Sequence, residues 1–561
     1  MMIWRVLPAL MLAAALAACS DPDVPAGPGQ HAVATAHPLA TEAALEVLAD
    51  GGNAFDAAVT ASAVLAVVEP FGSGMGGGGF WLLHRAADGH EVMIDGRETA
   101  PGAAHADMYL DADGEVDERA SLDGALAAAI PGQPAALEHL AGEYGELPLA
   151  RLLEPAIRLA QDGFEVDQRL AERLGWRQEV IAGSPAAAAV FLPDGEPLSA
   201  GQTLRQRDLA RTLQAIADDG SSAFYDGDIA RKMVEAVQEA GGIWSLDDLA
   251  GYRIVEREPV TAEAMGLRIV AASPPSSGGV TLVQTLNILE ELDIAASETV
   301  ERVHLIAEAM RRAYRDRARY LGDPDHVDMP LERLLSKDYA AGQRTSIRRD
   351  RALPSEYLAP VMSSEDGGPS TTHFSIMDAH GNRVAATLSI NWPFGSGFMP
   401  EGTGILLNNE MDDFAARPGE PNVYGLVHSQ ANAIAPGKRM LSSMTPAFFE
   451  QGERVAVVGT PGGSRIISMV LLAALEFAAD GDAEAMVSTP RFHHQYLPDR
   501  IQYEPGALPA DVRERLRALG HEVDAVGREY GDMHVITRDG SEPPRAASDP
   551  RGSGLGEVRQ K

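Results

Sequence analysis

The sequence predicts an α+β protein, with strands and helices gathered in different stretches of the chain, and three observations predict it. Residues 372–377 and 383–390 alternate on either side of an Asp-Ala-His-Gly-Asn turn, the pattern of a β-hairpin. In the middle third, Leu209, Leu213 and Ile216, then Ile229, Met233 and Val237, recur at helical spacing. Hydrophobic residues make up 45% of the chain and charged residues 23%, enough apolar surface for a large core and against global disorder.

Taken in order, residues 37–50 read as a helix closed by Gly51-Gly52, and 53–68 as a second, very apolar one. Residues 80–85 and 92–95 read as strands joined by a polar turn. The second helix of the middle third stops at Gly241-Gly242, and 304–321 is a long Arg-rich amphipathic helix stopped by Gly322-Asp323-Pro324. The stretch 363–370, SSEDGGPS, is polar and turn-rich, and the hairpin follows at once. Further strands are predicted at 404–408, 454–459 and 533–536, with a buried helix over 465–479. No internal repeat of solenoid or propeller period is present.

Among the 561 residues, 81 are acidic and 46 basic, a formal charge of −35. Such a surface repels phosphate backbones, so no nucleic-acid partner is expected. It also offers no general attraction to anions, so any pocket for an acid must be built locally. Only Lys232, Lys337, Lys438 and Lys561 are lysines. The single cysteine, Cys19, allows no intrachain disulfide, no Cys-rich zinc site and no CxxC motif.

Arg5 precedes an apolar run over 6–18, too short to span a bilayer as a mature helix; residues 1–18 read as a secretory signal. The run ends Leu16-Ala17-Ala18-Cys19, which resembles the bacterial lipobox, making Cys19 the lipidation site; Ser20 after it favours the outer membrane. Residues 19–30 then read as a lipid-anchored, Pro/Gly-rich tether. No later segment reaches 18 apolar residues. The expectation is an exported, periplasmic protein that touches the membrane only through its anchor.

Several motifs fail on context. Gly72-x-Gly74-x-x-Gly77 matches a dinucleotide fingerprint formally, but an apolar helix precedes it and a strand follows, the reverse of the required order. No phosphate-binding GxxxxGK[ST], GxSxG elbow, SxxK pair or HExxH occurs. His493-His494 is read as structural, because neighbours in extended chain point to opposite faces. No metal and no cofactor is expected.

A threonine hydroxyl is a weak nucleophile without an adjacent base. A threonine at the start of a chain has one in its own α-amino group, whose pKa of about 7.7–8.0 suits neutral pH better than lysine at about 10.4. An internal threonine gains that amine only when the bond before it is cut. Thr371 stands after the polar linker and at the mouth of the hairpin. The residues Thr371-Thr372-His373-Phe374-Ser375, Gly381-Asn382, and Asn391-x-x-Phe394-Gly395 resemble the small-subunit start of γ-glutamyltransferases (γ-glutamyl transpeptidases). The resemblance continues through GILLNNEMDDF (404–414), KRMLSSMTP (438–446), TPGGSRII (460–467), PRFHHQYLPD (490–499) and ASDPR (547–551). Earlier it includes GGNAFDAAV (51–59), DGRETAP (95–101), PPSSGGV (274–280) and YLGDPD (320–325).

The resemblance implies a four-layer αββα sandwich of the N-terminal-nucleophile hydrolase type, built from two chains after self-cleavage between Ser370 and Thr371. Residues 31–370 would form the large subunit and 371–561 the small catalytic subunit. Thr371 would attack γ-glutamyl amides such as glutathione, form a γ-glutamyl ester and pass the acyl group to water or to amino-acid and peptide acceptors. It also implies a donor pocket in which Arg97 holds the α-carboxylate with Ser442 and Ser443, while Asn391, Glu410 and Asp413 hold the α-ammonium. Gly462 and Gly463 would present N–H groups to the oxyanion. Ser389 stands where the family usually has a second threonine; it keeps the hydroxyl and loses the methyl that restricts χ1. Residues 418–433 resemble a lid with Tyr424 as its gate, implying small donors. Two competing readings are a glutaryl-type β-lactam acylase of the same superfamily, whose substrate has no ammonium for Glu410 and Asp413 to bind, and a catalytically inactive lipid-anchored binding protein.

Overall fold

The computed structural model describes residues 29–117, 119–358 and 371–561. The signal, Cys19 and Ser370 lie outside the described residues, as does the tether up to residue 28. Gln30, the last residue of the expected tether, instead opens the strand Gln30–Thr35, paired with Leu555–Gln560. No helix among the described residues is long and apolar enough to cross a membrane.

Two sheets stack face to face. The first has seven strands, in spatial order Leu555–Gln560, Gln30–Thr35, Thr372–Met377, Arg383–Ser389, Gly78–Arg85, His90–Gly96 and Val255–Arg257. The second has six, in order Arg545–Ser548, His534–Asp539, Arg454–Gly459, Ala447–Gln451, Leu267–Ala271 and Val260–Ala264. The two central strands of the first sheet pack on Arg454–Gly459 of the second. Their side chains are buried on both faces, Phe374, Ile376, Val384 and Leu388 on one and Met377 and Ala385 on the other.

Helices cover the outer faces. Ala54–Val68 is buried at every position and lies on the hairpin, with Asn53 and Asp56 closing a capping box at its start. Gly278–Leu289 and Ile466–Ala478 cover the second sheet. A helix that is apolar all round has to be covered on all sides, which is why both sequence-predicted apolar helices end in outer layers that further helices shield. The result is the four-layer αββα sandwich.

The hairpin and the predicted helices form within one to five residues of their expected bounds, but 404–408 is not a strand. Ile405, Leu406 and Leu407 are buried in an irregular segment whose only ladder contact among the described residues is a single bridge from Leu407 to Gly76. Gly402 and Gly404 both have positive φ (73° and 69°), which breaks the extended run. Leu407 N–H donates to the Phe398 carbonyl (3.0 Å) and Asn408 N–H to the Gly76 carbonyl (3.1 Å), while the Asn408 side-chain amide donates to the carbonyls of Gly76 (2.7 Å) and Ala129 (2.8 Å).

Candidate active site

The hairpin turn sets the position of Thr371. Asp378 N–H donates to the Asn382 carbonyl (3.0 Å) and the Asp378 carboxylate accepts from the N–H groups of His380 and Asn382. Gly381, at φ 92°, completes the turn. The resulting register pairs Thr372 with Leu388, so Ser389 comes opposite Thr371. Their hydroxyls lie 3.4 Å apart. Ser389 Oγ also accepts the Asn391 N–H at 2.7 Å. Asn391 sits at φ 70°, a left-handed conformation asparagine tolerates better than most residues, and its side-chain amide donates to the Asn409 carbonyl (2.9 Å).

The glycine run that failed as a nucleotide loop has a packing reason. A Cβ on Gly77 would lie 2.2 Å from the Ser389 carbonyl oxygen, and one on Gly78 would lie 2.3 Å from the Gly96 carbonyl oxygen. Bare backbone lets the strand ahead of Phe80 press against Ser389 and against the turn that carries Arg97.

Thr371, Ser389, Asn391, Arg97, Asp413, Tyr424, Ser442, Ser443 and Gly463 line one cavity of about 20 Å³. Glu410 meets it through Arg97, and Gly462 adjoins Gly463. Arg97 is 1% exposed and bonds Glu410 Oε2 (2.6 Å) and Asp413 Oδ2 (2.5 Å), with Glu98 at 3.6 Å. Both charge signs are therefore present and paired with each other. Burial pushes the Glu410 and Asp413 carboxyls above their ordinary range, and Arg97 opposes the shift in each. Glu98, fully buried beside Glu410 and with no hydrogen-bond partner for either oxygen among the described residues, is pushed well up by burial first and by Glu410 second. Three carboxyls thus crowd one guanidinium, and all three are pushed above their ordinary range, Glu98 with the least direct help from Arg97.

The loop bearing Ser442 and Ser443 rests on 274–280. Ser277 donates through both N–H (2.8 Å) and hydroxyl (2.7 Å) to the Ser442 carbonyl, and Ser442 N–H donates to Pro275 (2.9 Å). Arg317, buried on the helix Thr299–Tyr320, donates to the hydroxyls of Ser277 (2.8 Å) and Ser443 (3.0 Å). Its Nη1 has no hydrogen-bond partner among the described residues, and burial lowers its pKa to about 10, against the opposing pull of Tyr314 and Asp413. Sequence reasoning missed Arg317 and Glu98. The signal for Arg317 was present: Met310, Ala313, Tyr314 and Arg317 share one helical face, placing a guanidinium on the apolar side.

Tyr424 closes the cavity. Its hydroxyl donates to the Asn391 carbonyl (2.8 Å) and its ring packs edge-on to Trp392. A Cβ on Gly463 would sit 2.4 Å from the Tyr424 ring, and Gly463 has φ 57°, so both space and backbone call for glycine. The segment around the tyrosine is pinned by Asn422, which accepts from the N–H groups of Tyr424 and Leu426 (both 3.1 Å).

Of the groups with metal-ligand chemistry, His304, Glu308 and His521 lie together and buried. Their donor atoms are engaged: His304 Nδ1 meets His521 Nε2 at 2.7 Å, and Glu308 pairs with Arg311 (3.2 Å) and Arg312 (2.8 Å). His493 and His494 turn to different partners, Ser468 with Gln495, and Asp499.

The family model described as Gamma-glutamyltranspeptidase matches residues 40–558. A glutathione hydrolase proenzyme of Escherichia coli (strain K12) is 41% identical over 527 residues, covering 93% of this chain and 90% of its own. A glutathione hydrolase proenzyme of Pseudomonas aeruginosa is 41% identical over 562 residues, covering 98% of both. In structure, a cephalosporin acylase from Bacillus halodurans superposes with a TM-score of 0.83 at 29% identity, over 94% of this chain and 95% of its own. With the family pattern running through 40–558 and relatives aligned along nearly their whole length, the chain belongs to the gamma-glutamyltranspeptidase family of enzymes.

Proposed function

We propose that this chain cuts itself between Ser370 and Thr371 and then, as a two-chain enzyme, takes γ-glutamyl groups from amides such as glutathione and passes them to water or to amino acids and peptides. The Thr371 hydroxyl, placed 3.4 Å from Ser389 at the wall of a pocket holding charges of both signs, is the observation that carries the reading.

In maturation, Thr371 Oγ1 adds to the Ser370 carbonyl carbon, the C–N bond breaks, and water hydrolyses the resulting ester, leaving Thr371 with a free amine. In turnover that amine takes the hydroxyl proton while Oγ1 attacks the γ-carbonyl of the donor. The N–H groups of Gly462 and Gly463, with no acceptor of their own among the described residues, face the developing oxyanion; one such donor is worth about 2.7–4 kcal/mol. The proton then goes to the leaving amine, and water or an acceptor amine reverses the sequence.

The donor's zwitterionic end exchanges partners with the pocket. Its α-carboxylate takes the Arg97 fork and the Ser442 and Ser443 hydroxyls, and its α-ammonium takes Asn391, Glu410 and Asp413, so no charge is left bare. A cavity of about 20 Å³ has room for about one water and none for a glutamyl group. Tyr424 therefore has to move for a donor to enter. A glutaryl donor would leave Asp413 and Glu410 without a cation, which favours γ-glutamyl donors over the acylase reading that the Bacillus halodurans neighbour's name suggests. Export with lipidation of Cys19 belongs to the same proposal, and a Cys19→Ala variant that no longer sediments with outer membranes tests it.

Intact-mass spectrometry of wild type beside Thr371→Ala tests the core of the reading. Residues 371–561 make up about a third of a 59.5 kDa chain, so wild type should give a fragment of about 20 kDa starting at Thr371. The variant should stay whole. One uncut, folded chain in both samples would leave no free amine and overturn the enzyme mechanism in favour of a binding protein.

A further inference from the structure

Thr371 also borders a second cavity, of about 100 Å³, that opens on the side of Phe71 and Tyr530 and shares none of the donor-pocket charges. Four arginines line it: Arg169, Arg173, Arg528 and Arg551. On a chain with a formal charge of −35 this is an unusual concentration of cations. Two of the four are neutralised. Arg169 pairs with Asp532 and lies 3.5 Å from Glu69, and Arg551 is held by Glu504 (2.6 Å) and Asp549 (3.1 Å). Arg173 and Arg528 have no carboxylate partner among the described residues, and the exposed Glu529 at the rim pairs with neither.

The arrangement is costly without a ligand. Arg169 and Arg173 stand one turn apart near the start of the helix Gln168–Ala182, where like charges repel and the helix end itself disfavours cations. Partial burial, with the charges of Arg169 and Arg528, lowers the Arg173 pKa to about 10. Two guanidiniums on one cavity with no carboxylate against them among the described residues, Arg173 resting only over the Trp176 ring (5.7 Å), match a carboxylate, which accepts from both.

The cavity's place fixes what brings that carboxylate. With the donor's glutamyl end in the first pocket, the leaving amine projects to the other side of Thr371, and an incoming amine must approach along the path the leaving amine took. Resting on the γ-glutamyl reading above, we infer that this second cavity is the leaving-group and acceptor subsite, and that Arg173 and Arg528 make it select amines that carry a free carboxylate over their neutral amides. Water needs neither arginine, so the same two residues set how often the acyl group is transferred rather than hydrolysed.

The test uses the matured two-chain protein with γ-glutamyl-p-nitroanilide, whose leaving group has no carboxylate, and compares glycylglycine with glycylglycinamide as acceptors. Wild type should transfer to the acid about tenfold more efficiently than to the amide, the size of one charge-assisted hydrogen bond. In Arg528→Gln, an exposed site that does not endanger folding, and in Arg173→Gln, that ratio should fall towards one. Arg528→Lys should restore part of it. Equal use of the two acceptors by a wild type that does release p-nitroaniline, or an unchanged ratio in both variants, would overturn this inference alone. A wild type that releases no p-nitroaniline would overturn the γ-glutamyl reading and this inference with it.

Discussion

The hydroxyl of Ser389 lies 3.4 Å from that of Thr371 while accepting the backbone N–H of Asn391 at 2.7 Å. A hydroxyl that already accepts has its proton to give, so Ser389 can hold the Thr371 oxygen in one rotamer. Ser389→Ala should slow both self-cleavage and donor hydrolysis by about 10- to 100-fold, the loss of a hydrogen bond worth about 1–3 kcal/mol. Ser389→Thr should retain both. Timed gels and initial rates on the same preparations check the pair.

Gly463 and Tyr424 should be coupled. In Gly463→Ala the new methyl meets the tyrosine ring at a position with φ 57°, so kcat should fall at least 100-fold. Adding Tyr424→Ala removes the clash and leaves the backbone strain, so the double variant should recover part of that loss. A double-mutant cycle on kcat/KM with equal effects in both backgrounds would contradict the contact.

Arg317 should act on the donor through Ser443. Arg317→Met should raise KM for a γ-glutamyl anilide about tenfold, with a smaller change in kcat. The matching 4-aminobutyryl anilide, which lacks the α-carboxylate, should be no worse a substrate for the variant than for wild type. Equal damage to both substrates would mean that Arg317 is merely structural.

Glu69 accepts the Thr372 hydroxyl at 2.7 Å, and burial, opposed by Arg169, raises its pKa from the ordinary 4.5 to about 7. The folded state thus binds this proton more tightly than the unfolded chain. The stability it contributes is fully present below about pH 4.5 and is lost as pH rises through 7. Melting temperatures measured from pH 4.5 to 8 should therefore decline less steeply in Glu69→Gln than in wild type.

The two chains should stay together after the cut. Thr372–Met377 lies between Gln30–Thr35 and Arg383–Ser389, so the first sheet draws neighbouring strands from both sides of residue 370. The fragments should co-elute in size-exclusion chromatography at neutral pH and separate only in denaturant.

Local pattern decided much of this protein. The alternation around Asp378-Ala-His-Gly-Asn382 determined a hairpin, and with it the register that brings Ser389 opposite Thr371, because a tight turn leaves only one pairing. Helical spacing likewise determined the buried faces at Leu213 and Met233. The stretch 404–408 shows where pattern runs out. An apolar run reads as a strand, yet its backbone bonds went to Phe398 and Ser396 nearby and to Gly76, more than 300 residues away. Of the site residues expected from the sequence, Arg97, Thr371, Ser389, Asn391, Asp413, Tyr424, Ser442, Ser443 and Gly463 come together around one cavity. That Arg97 rests in ion pairs with Glu410 and Asp413, that burial and Glu410 push the Glu98 carboxyl up beside them, and that Arg317 backs Ser443 were decided only when distant segments met. Charge pairing and desolvation depend on distance and on the exclusion of water, and neither is a property of sequence spacing.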